Sequence, residues 1–450
     1  MKTISTFIGR TAVGLFLLFA SVSCEDFLSL TPDNALPAGN PTISSAGTLR
    51  AAIISAYNEL QGYSGSLVTL ATASGDNALG NSSQSAQFQL NQHAVPTDHS
   101  TVVSTYTSLY RAVNITNTVI ASIGAISDPQ LSEDEKNRIL GEAHFIRALS
   151  YFDLARGWGG VQIQTKPTDN LEVIKGIRRS SLDDTYNQVL ADLVEAEKLL
   201  PDDASTRNRA QKSTAKALRA RLHLYREQWE EAERYASEVI ANSKYELVKP
   251  YKTFFTAPFL TKESVFELTF SLSDKNGYWS TWFPSSLGGG HSLKPSDKIV
   301  EKLNDPAIGG SRNVLIAGTG LTLHTPFYGP TTGISPFYLI RIAELYLIRA
   351  EARAKKASPD LAGAVQDLNA VRERADVPAW ENTTDREQII AAIEEENNVE
   401  FPFEAHRWFD LVRTRRADVV LGVTNKNYWL FPIPQSDILS DPDVEQNPGY

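Results

Sequence analysis

Apolar and polar positions alternate with a helical period over most of the chain. Leu49, Ile53, Ala56, Tyr57 and Leu60 fall on one face. Residues 61–100 are low in charge and rich in Ser, Gly, Asn and Gln, with a short helix expected near Val68–Leu79. Residues 101–126 are helical again, with Val102, Tyr106, Leu109, Tyr110, Val113 and Ile120 as the buried stripe. The strongest signal runs from Ser132 to Gly157. Ser132 and Glu135 predict a capping box there, and Trp158-Gly159-Gly160 ends the helix. Ser181–Leu200 is a further helix, closed by Pro201.

Two later helix pairs share a spacing. Ala217–Tyr225 is followed by Glu230–Ala241, and Ala343–Lys355 by Leu361–Arg374, with Ala220 and Ala232, like Ala352 and Ala364, twelve residues apart. Tetratricopeptide-type repeats put small residues where paired helices approach most closely. Such a pair cannot bury its apolar face alone, so neighbours stack. The aromatic position of the first repeat helix is missing in both pairs. Residues 245–337 break the pattern: Val265–Phe270 alternates like a strand, and loops around Gly277-Tyr278-Trp279, Trp282-Phe283-Pro284, Gly288–Gly290 and Pro326–Pro330 are rich in aromatic residues. Tyr428–Tyr450 is Pro-rich and extended. The fold class predicted is mostly α, a tetratricopeptide-like helical-pair superhelix. Residues 48–450 form its single domain, with a loop-rich insertion at about 245–337 carrying minor β structure.

The first residues predict a compartment. Lys2 and Arg10 precede an apolar run from Ala12 to Val22. That run has the length of a signal-peptide core and is too short for a bilayer span of roughly twenty residues. It ends in small residues and Cys24, the lone cysteine. Residues 1–23 therefore read as a lipoprotein signal, Cys24 as the lipidated residue, and the Ser/Thr/Pro/Asn/Gly-rich 24–47 as a lead. Ser21 stands where such signals more often carry leucine. With no second cysteine, no internal disulfide supports the core. The net charge of −10 and absence of a basic run argue against a nucleic-acid partner.

Catalytic patterns are poorly supported. The sequence has no G-x-S-x-G, H-E-x-x-H or P-loop. The seven histidines are scattered, and His93 and His99 lack an acidic partner motif, so neither a metal nor a cofactor is expected. Glu394-Glu395-Glu396 reads as a solvated helix face. Binding chemistry is better supported. Sugars offer apolar C–H faces that stack on aromatic rings and hydroxyls that need fixed polar partners. Tyr278, Trp279, Trp282 and Tyr328 are candidates for stacking; Asp76 and Asn77 for hydroxyl contacts. The competing readings are packing for the tryptophans and a helix cap or turn for Asp76. Trp158, Trp229, Trp408 and Trp429 read as structural.

A family resemblance rests on specific motifs. Glu404-Ala405-His406-Arg407-Trp408-Phe409-Asp410-Leu411-Val412-Arg413 resembles the E-G-x-R-W-x-D-L-x-R signature of the SusD/RagB family. Pro432-Ile433-Pro434 resembles its P-I-P stretch, and Gln446–Tyr450 its terminus. Arg341–Ala352 fits its R-x-A-E-x-x-L-x-x-A-E-A helix, Ala148–Val161 its helix ending in G-G-V, and Cys24–Leu28 its lipidated start. Ala405 replaces the usual Gly, and Glu396-Asn397 the usual Glu-Arg. Arg407, Asp410 and Arg413 read as charge pairing along a helix face or to neighbouring loops.

The resemblance implies a non-enzymatic lipoprotein on the outer face of the Bacteroidota outer membrane. It implies four tetratricopeptide-like pairs, a glycan or other nutrient ligand, and a SusC-like TonB-dependent barrel over which the protein acts as a lid. Gly80–Ser100 carries Phe88 but none of the Trp or Tyr that glycan-binding members often have there. Binding of a peptide or other non-glycan nutrient is the alternative, favoured by a groove without exposed Trp279 or Trp282. A third reading, an all-α glycoside hydrolase, needs two carboxylates facing across a cleft roughly 5–9.5 Å apart.

Overall fold

The computed structural model describes residues 43–450, apart from 83–84, 169–172, 175, 203–205 and 330–332. The signal, Cys24 and most of the predicted lead lie outside the described residues.

Chain order runs α1 (Ala46–Ser74), β1 (Ala78–Gly80), α2 (Ala86–Asn91), α3 (Ser100–Ser122), α4 (Glu133–Trp158), α5 (Leu182–Leu199), α6 (Lys212–Tyr225) and α7 (Trp229–Ile240). The insertion adds β2 (Ser264–Leu268), α8 (Trp279–Trp282), β3 (Leu293–Pro295), α9 (Asp297–Asn304) and β4 (Phe337–Arg341). Then come α10 (Ile342–Lys355), α11 (Leu361–Arg374), α12 (Arg386–Glu400), α13 (Arg407–Arg413), α14 (Ala417–Leu421) and α15 (Gln435–Ser440).

Local chemistry sets the helix starts. Side chains of Ser45, Ser132, Ser181, Asp360 and Asp385 each accept the backbone N–H three residues on. The box predicted at Ser132 forms only by half, because the Glu135 carboxylate turns to Arg50 at 2.7 Å. Helices pack as α1 with α3, α4 with α5, α6 with α7, and α10 with α11, while α10 also packs on α7. This is the mostly helical repeat architecture expected. Ala220, Ala232, Ala352 and Ala364 are all fully buried at these contacts.

The region around residue 70 differs from expectation. No separate helix spans Val68–Leu79; α1 continues to Ser74 and a strand follows. Gly62, Gly65 and the Ser/Thr content lower helix propensity in this stretch. Tertiary burial of Tyr63, Leu67, Leu70, Ala71 and Ala73 overrides it. The Ser64, Thr69 and Thr72 hydroxyls donate to carbonyls four residues back, while the buried Ser74 hydroxyl at the helix end has no partner.

The β structure is slight and pins the insertion to the helices. β1 pairs antiparallel with β3, Ala78 opposite Pro295. β2 pairs antiparallel with β4, Ser264 opposite Arg341, with register irregularities on either side of Phe266. Beside this pair lies a buried ionic cluster. Arg341 reaches Glu263, Glu400 and Glu404 at 2.9, 2.6 and 2.7 Å. Arg374 reaches Glu263 at 2.8 Å and also Glu400, while Arg312 bridges Glu400 at 2.8 Å and Glu396. Among the described residues no helix is long and apolar enough to cross a membrane.

Candidate functional site

A groove of about 620 Å³ runs between α1 and the loop that leads into α8. On the α1 side, Asn58, Gln61, Gly62, Gly65, Ser66 and Thr69 line it. Their spacing of three and four residues places them on one helix face. A Cβ on Gly62 would meet nothing within 4 Å, so the helix backbone is open to the groove there. Gly65 has a different role. A Cβ there would stand 2.8 Å from the Tyr278 ring, so glycine lets that ring lie against the helix.

The opposite side is aromatic. Phe270, Tyr278 and Phe337 line the groove. Phe337, itself buried, links the other two, with centroids 5.8 Å from Phe270 and 5.4 Å from Tyr278. Half-buried Phe270 and Tyr278 therefore form a fixed strip. Tyr278 is further fixed by a 3.0 Å hydrogen bond between its hydroxyl and that of Thr69. Its backbone N–H donates to Asn276 Oδ1 at 2.9 Å, and the Asn276 amide donates to the Ser335 carbonyl at 2.8 Å. Burial pushes the Tyr278 hydroxyl above its ordinary pKa, so it stays a neutral hydrogen-bonding group. Gln87, Thr101 and Thr281 add polar groups at the edge; Asp274 and Lys275 are the charged residues among the lining.

Of the residues singled out from sequence for ligand contact, Tyr278 alone lines this groove. Trp282 is fully buried, packed 5.2 Å from Phe403, and has no face to offer a ligand. Tyr328 is buried as well, and its hydroxyl donates to the Phe403 carbonyl at 2.7 Å. Trp279 is half-buried against Phe283, outside the groove lining. Asn77 is buried and its amide donates to the Pro402 carbonyl at 3.1 Å. Asp76 accepts the Arg407 Nε–H at 2.6 Å. Burial alone would raise the Asp76 carboxyl, but the Arg407 guanidinium prevails and holds it below its ordinary value.

The same packing explains these placements. The Trp282 and Tyr328 rings and the Asn77 amide close the seam between the insertion and the segment around 402–403, next to the signature helix α13. Sequence missed Gln61, Ser66, Thr69, Phe270 and Phe337. The low charge of residues 61–100 was a signal for the polar side. The rings carried none, because Phe270 and Phe337 meet only after β2 and β4 pair.

The other patterns also resolve. Trp158 and Trp408 are buried core residues. Glu394, Glu395 and Glu396 are not a solvated face: they pair with Arg416, Lys302 and Arg312. Arg413 pairs with Asp410 at 2.7 Å and Glu351 at 2.8 Å, so the signature charges are architecture, as expected. His93 stacks on Trp408 while His99 caps α3. Among the described residues no group of three His, Cys, Asp or Glu is placed to hold a metal ion.

Comparison with known proteins gives two family matches. Residues 26–224 match a SusD-like family described as starch-binding and associating with the outer membrane, and residues 326–450 match the SusD family. SusD-like protein P25 of Formosa agariphila is 26% identical over 502 aligned positions, covering 95% of this chain and 93% of the relative. A SusD superfamily crystal structure from Bacteroides vulgatus superposes with a TM-score of 0.80 at 20% identity, covering 90% of this chain and 99% of the other. A laminarin-binding SusD-like protein gives 0.78 at 22% identity, covering 90% and 100%. With both matched segments falling on the helical pairs and signature described above, the chain belongs to the SusD/RagB family.

Proposed function

We propose that this chain is a nutrient-binding protein that takes an oligosaccharide into the groove between α1 and the Tyr278 loop. The carrying observation is the pairing of a fixed ring strip with a polar helix face. Rings stack on the apolar faces of sugars, while Gln61, Ser66 and Thr69 supply hydrogen-bonding groups for hydroxyls. The description of the matched family as starch-binding and the laminarin-binding neighbour support a glycan. Among the described residues, Asp274 is the one carboxylate in the lining, which does not make the pair a glycoside hydrolase needs. Lipidation at Cys24 would hold the protein on the outer face of the outer membrane, where it would act as a lid on a SusC-like TonB-dependent barrel.

One observation favours a second reading. Neither Trp279 nor Trp282 lines the groove. A strip of two half-buried rings with an open helix backbone at Gly62 also suits an extended peptide. Calorimetric titration against a panel of oligosaccharides and peptides decides between them. For the true ligand, Phe270→Ala and Tyr278→Ala are each expected to weaken binding about tenfold, the scale of one lost stacking contact. Unchanged affinity in both variants removes the groove as the site. Peptide binding without glycan binding replaces the first reading with the second. Extraction of the lipidated protein from membranes is expected to bring a barrel with it; repeated isolation without one overturns the transport role.

A further inference from the structure

A second cavity, about 310 Å³, lies between α3, the segment that follows α4, and α15. It shares no lining residue with the groove. Tyr106, Tyr110 and Asn114 stand on one face of α3, with the two ring centroids 5.0 Å apart. The C-terminal segment contributes two carboxylates, Asp437 and Asp441. Among the described residues neither has an ion-pair partner. Asp437 Oδ2 accepts the Ser436 hydroxyl at 3.0 Å, and Oδ1 has no partner in another described residue. Burial, with the Asp441 charge adding to it, pushes the Asp437 carboxyl above its ordinary value.

The cations around the cavity are engaged elsewhere. Arg179 gives its N–H groups to the Gly160, Trp158 and Glu445 carbonyls and to Asn447. Arg111 lines the cavity but is exposed, and its charge is felt by Glu59 on α1. A second, independent observation comes from Gln162, which is 7% exposed. Its Nε2 donates to Asp441 Oδ2 at 2.9 Å and to the Ile177 carbonyl, which fixes the orientation of the amide. Its Oε1 bonds nothing among the described residues and is not enclosed. A side chain so buried has accessible surface only where it lines the cavity, so that oxygen is aimed into it.

The wall therefore presents an unpaired carboxylate and an open amide oxygen. An ammonium group, with one positive charge and three N–H donors, answers both. A neutral sugar would leave the Asp437 charge unmet, and no group of three acidic or histidine side chains is placed here for a metal among the described residues. The amide N–H groups of Asn114 and Gln164 donate to nothing among the described residues, which suits hydroxyls on the body of the occupant.

We propose that this cavity is a second ligand site, taking a small molecule that carries a primary ammonium group, from an amino sugar or a linear amine. It stands whether or not the groove binds a glycan. The test titrates the full mature chain at neutral pH with D-glucosamine and cadaverine, with N-acetyl-D-glucosamine and D-glucose as controls that lack the ammonium, read by calorimetry and saturation-transfer NMR. An amine is expected to bind wild type saturably and at least about tenfold more tightly than either control, the scale of one charge-assisted hydrogen bond. Asp437→Asn is expected to lose that margin. Ser440 is exposed and lines the cavity three residues from Asp437, so Ser440→Lys supplies an ammonium of its own and is expected to block the site even if Asp437→Asn folds poorly. Glucosamine binding without cadaverine assigns amino sugars, the reverse assigns linear amines, and either supports the site. No saturable binding of either amine, equal binding of N-acetyl-D-glucosamine, or binding unchanged in both variants overturns it.

Discussion

Glu267 lies on β2 with no exposed surface. One carboxyl oxygen accepts the Leu260 N–H at 3.0 Å, and the other has no partner. Burial pushes this carboxyl up to about 7, against the pull of Ser264, the Leu260 amide and Arg207. The folded protein thus holds the Glu267 proton more tightly than the unfolded chain, where the reference value is 4.5. The stability tied to that proton is fully present below pH 4.5 and is lost as pH rises through 7. Glu267→Gln keeps the shape and removes the charge. Its stability relative to wild type is expected to rise by about 3 kcal/mol across that window, from the size of the shift. Urea unfolding of both proteins at each end of the window measures it, and a constant difference sinks the argument. Glu404, also pushed up to about 7 by burial, is common to both proteins and cancels in the comparison.

At the scale of elements, the helix pairs were legible because one small residue per helix sets the distance of approach. Ala352 and Ala364 are both fully buried where α10 meets α11. Ala364→Leu forces extra methylenes into that contact and is expected to cost about 1–3 kcal/mol in thermal or urea unfolding. A leucine accepted without loss would show that the pair is held by something other than close packing. The twelve-residue spacing carried this information because both alanines are local to one hairpin. The groove had no such local mark. Its ring strip joins Phe270 and Phe337, which lie far apart in sequence and converge only through the irregular pairing of β2 with β4. Sequence ranked the aromatic residues of the insertion by ring type and nearby glycines. Burial sorted them differently: Trp282 and Tyr328 went to the core, and Tyr278 kept an edge on the groove because Gly65 made room for it. Asp76 was read as a possible ligand contact or a turn, and its actual partner, Arg407, comes from the far end of the chain.

Across the whole molecule, the buried ionic cluster joins parts that the sequence separates widely. Glu263 and Arg312 come from the insertion, Arg374 from α11, Glu396 and Glu400 from α12, and Glu404 from the loop before α13. Arg341 is the hub: fully enclosed, flanked by the rings of Phe254 and Phe401 at 4.7 and 4.4 Å, and bonded to three carboxylates. Its planar fork of donors serves several acceptors at once, which the compact ammonium of lysine cannot reproduce. Buried pairs of this kind add little over an apolar substitute, but removing one member strands the others. Arg341→Met leaves Glu263, Glu400 and Glu404 with less positive charge than they need. The expected cost is about 3–5 kcal/mol at neutral pH. Arg341→Lys is expected to recover only part of it. The loss should shrink in acid, where the stranded carboxylates take up protons and the repulsion among them fades. Hydrogen exchange followed peptide by peptide in rising denaturant reports the insertion and the helices separately. If the cluster welds insertion to helices, both signals move to lower denaturant together in Arg341→Met. Two separate transitions would mean that the insertion unfolds on its own. A loss below about 1 kcal/mol, the range of an exposed pair, would mean that Arg341 does not hold the two parts together.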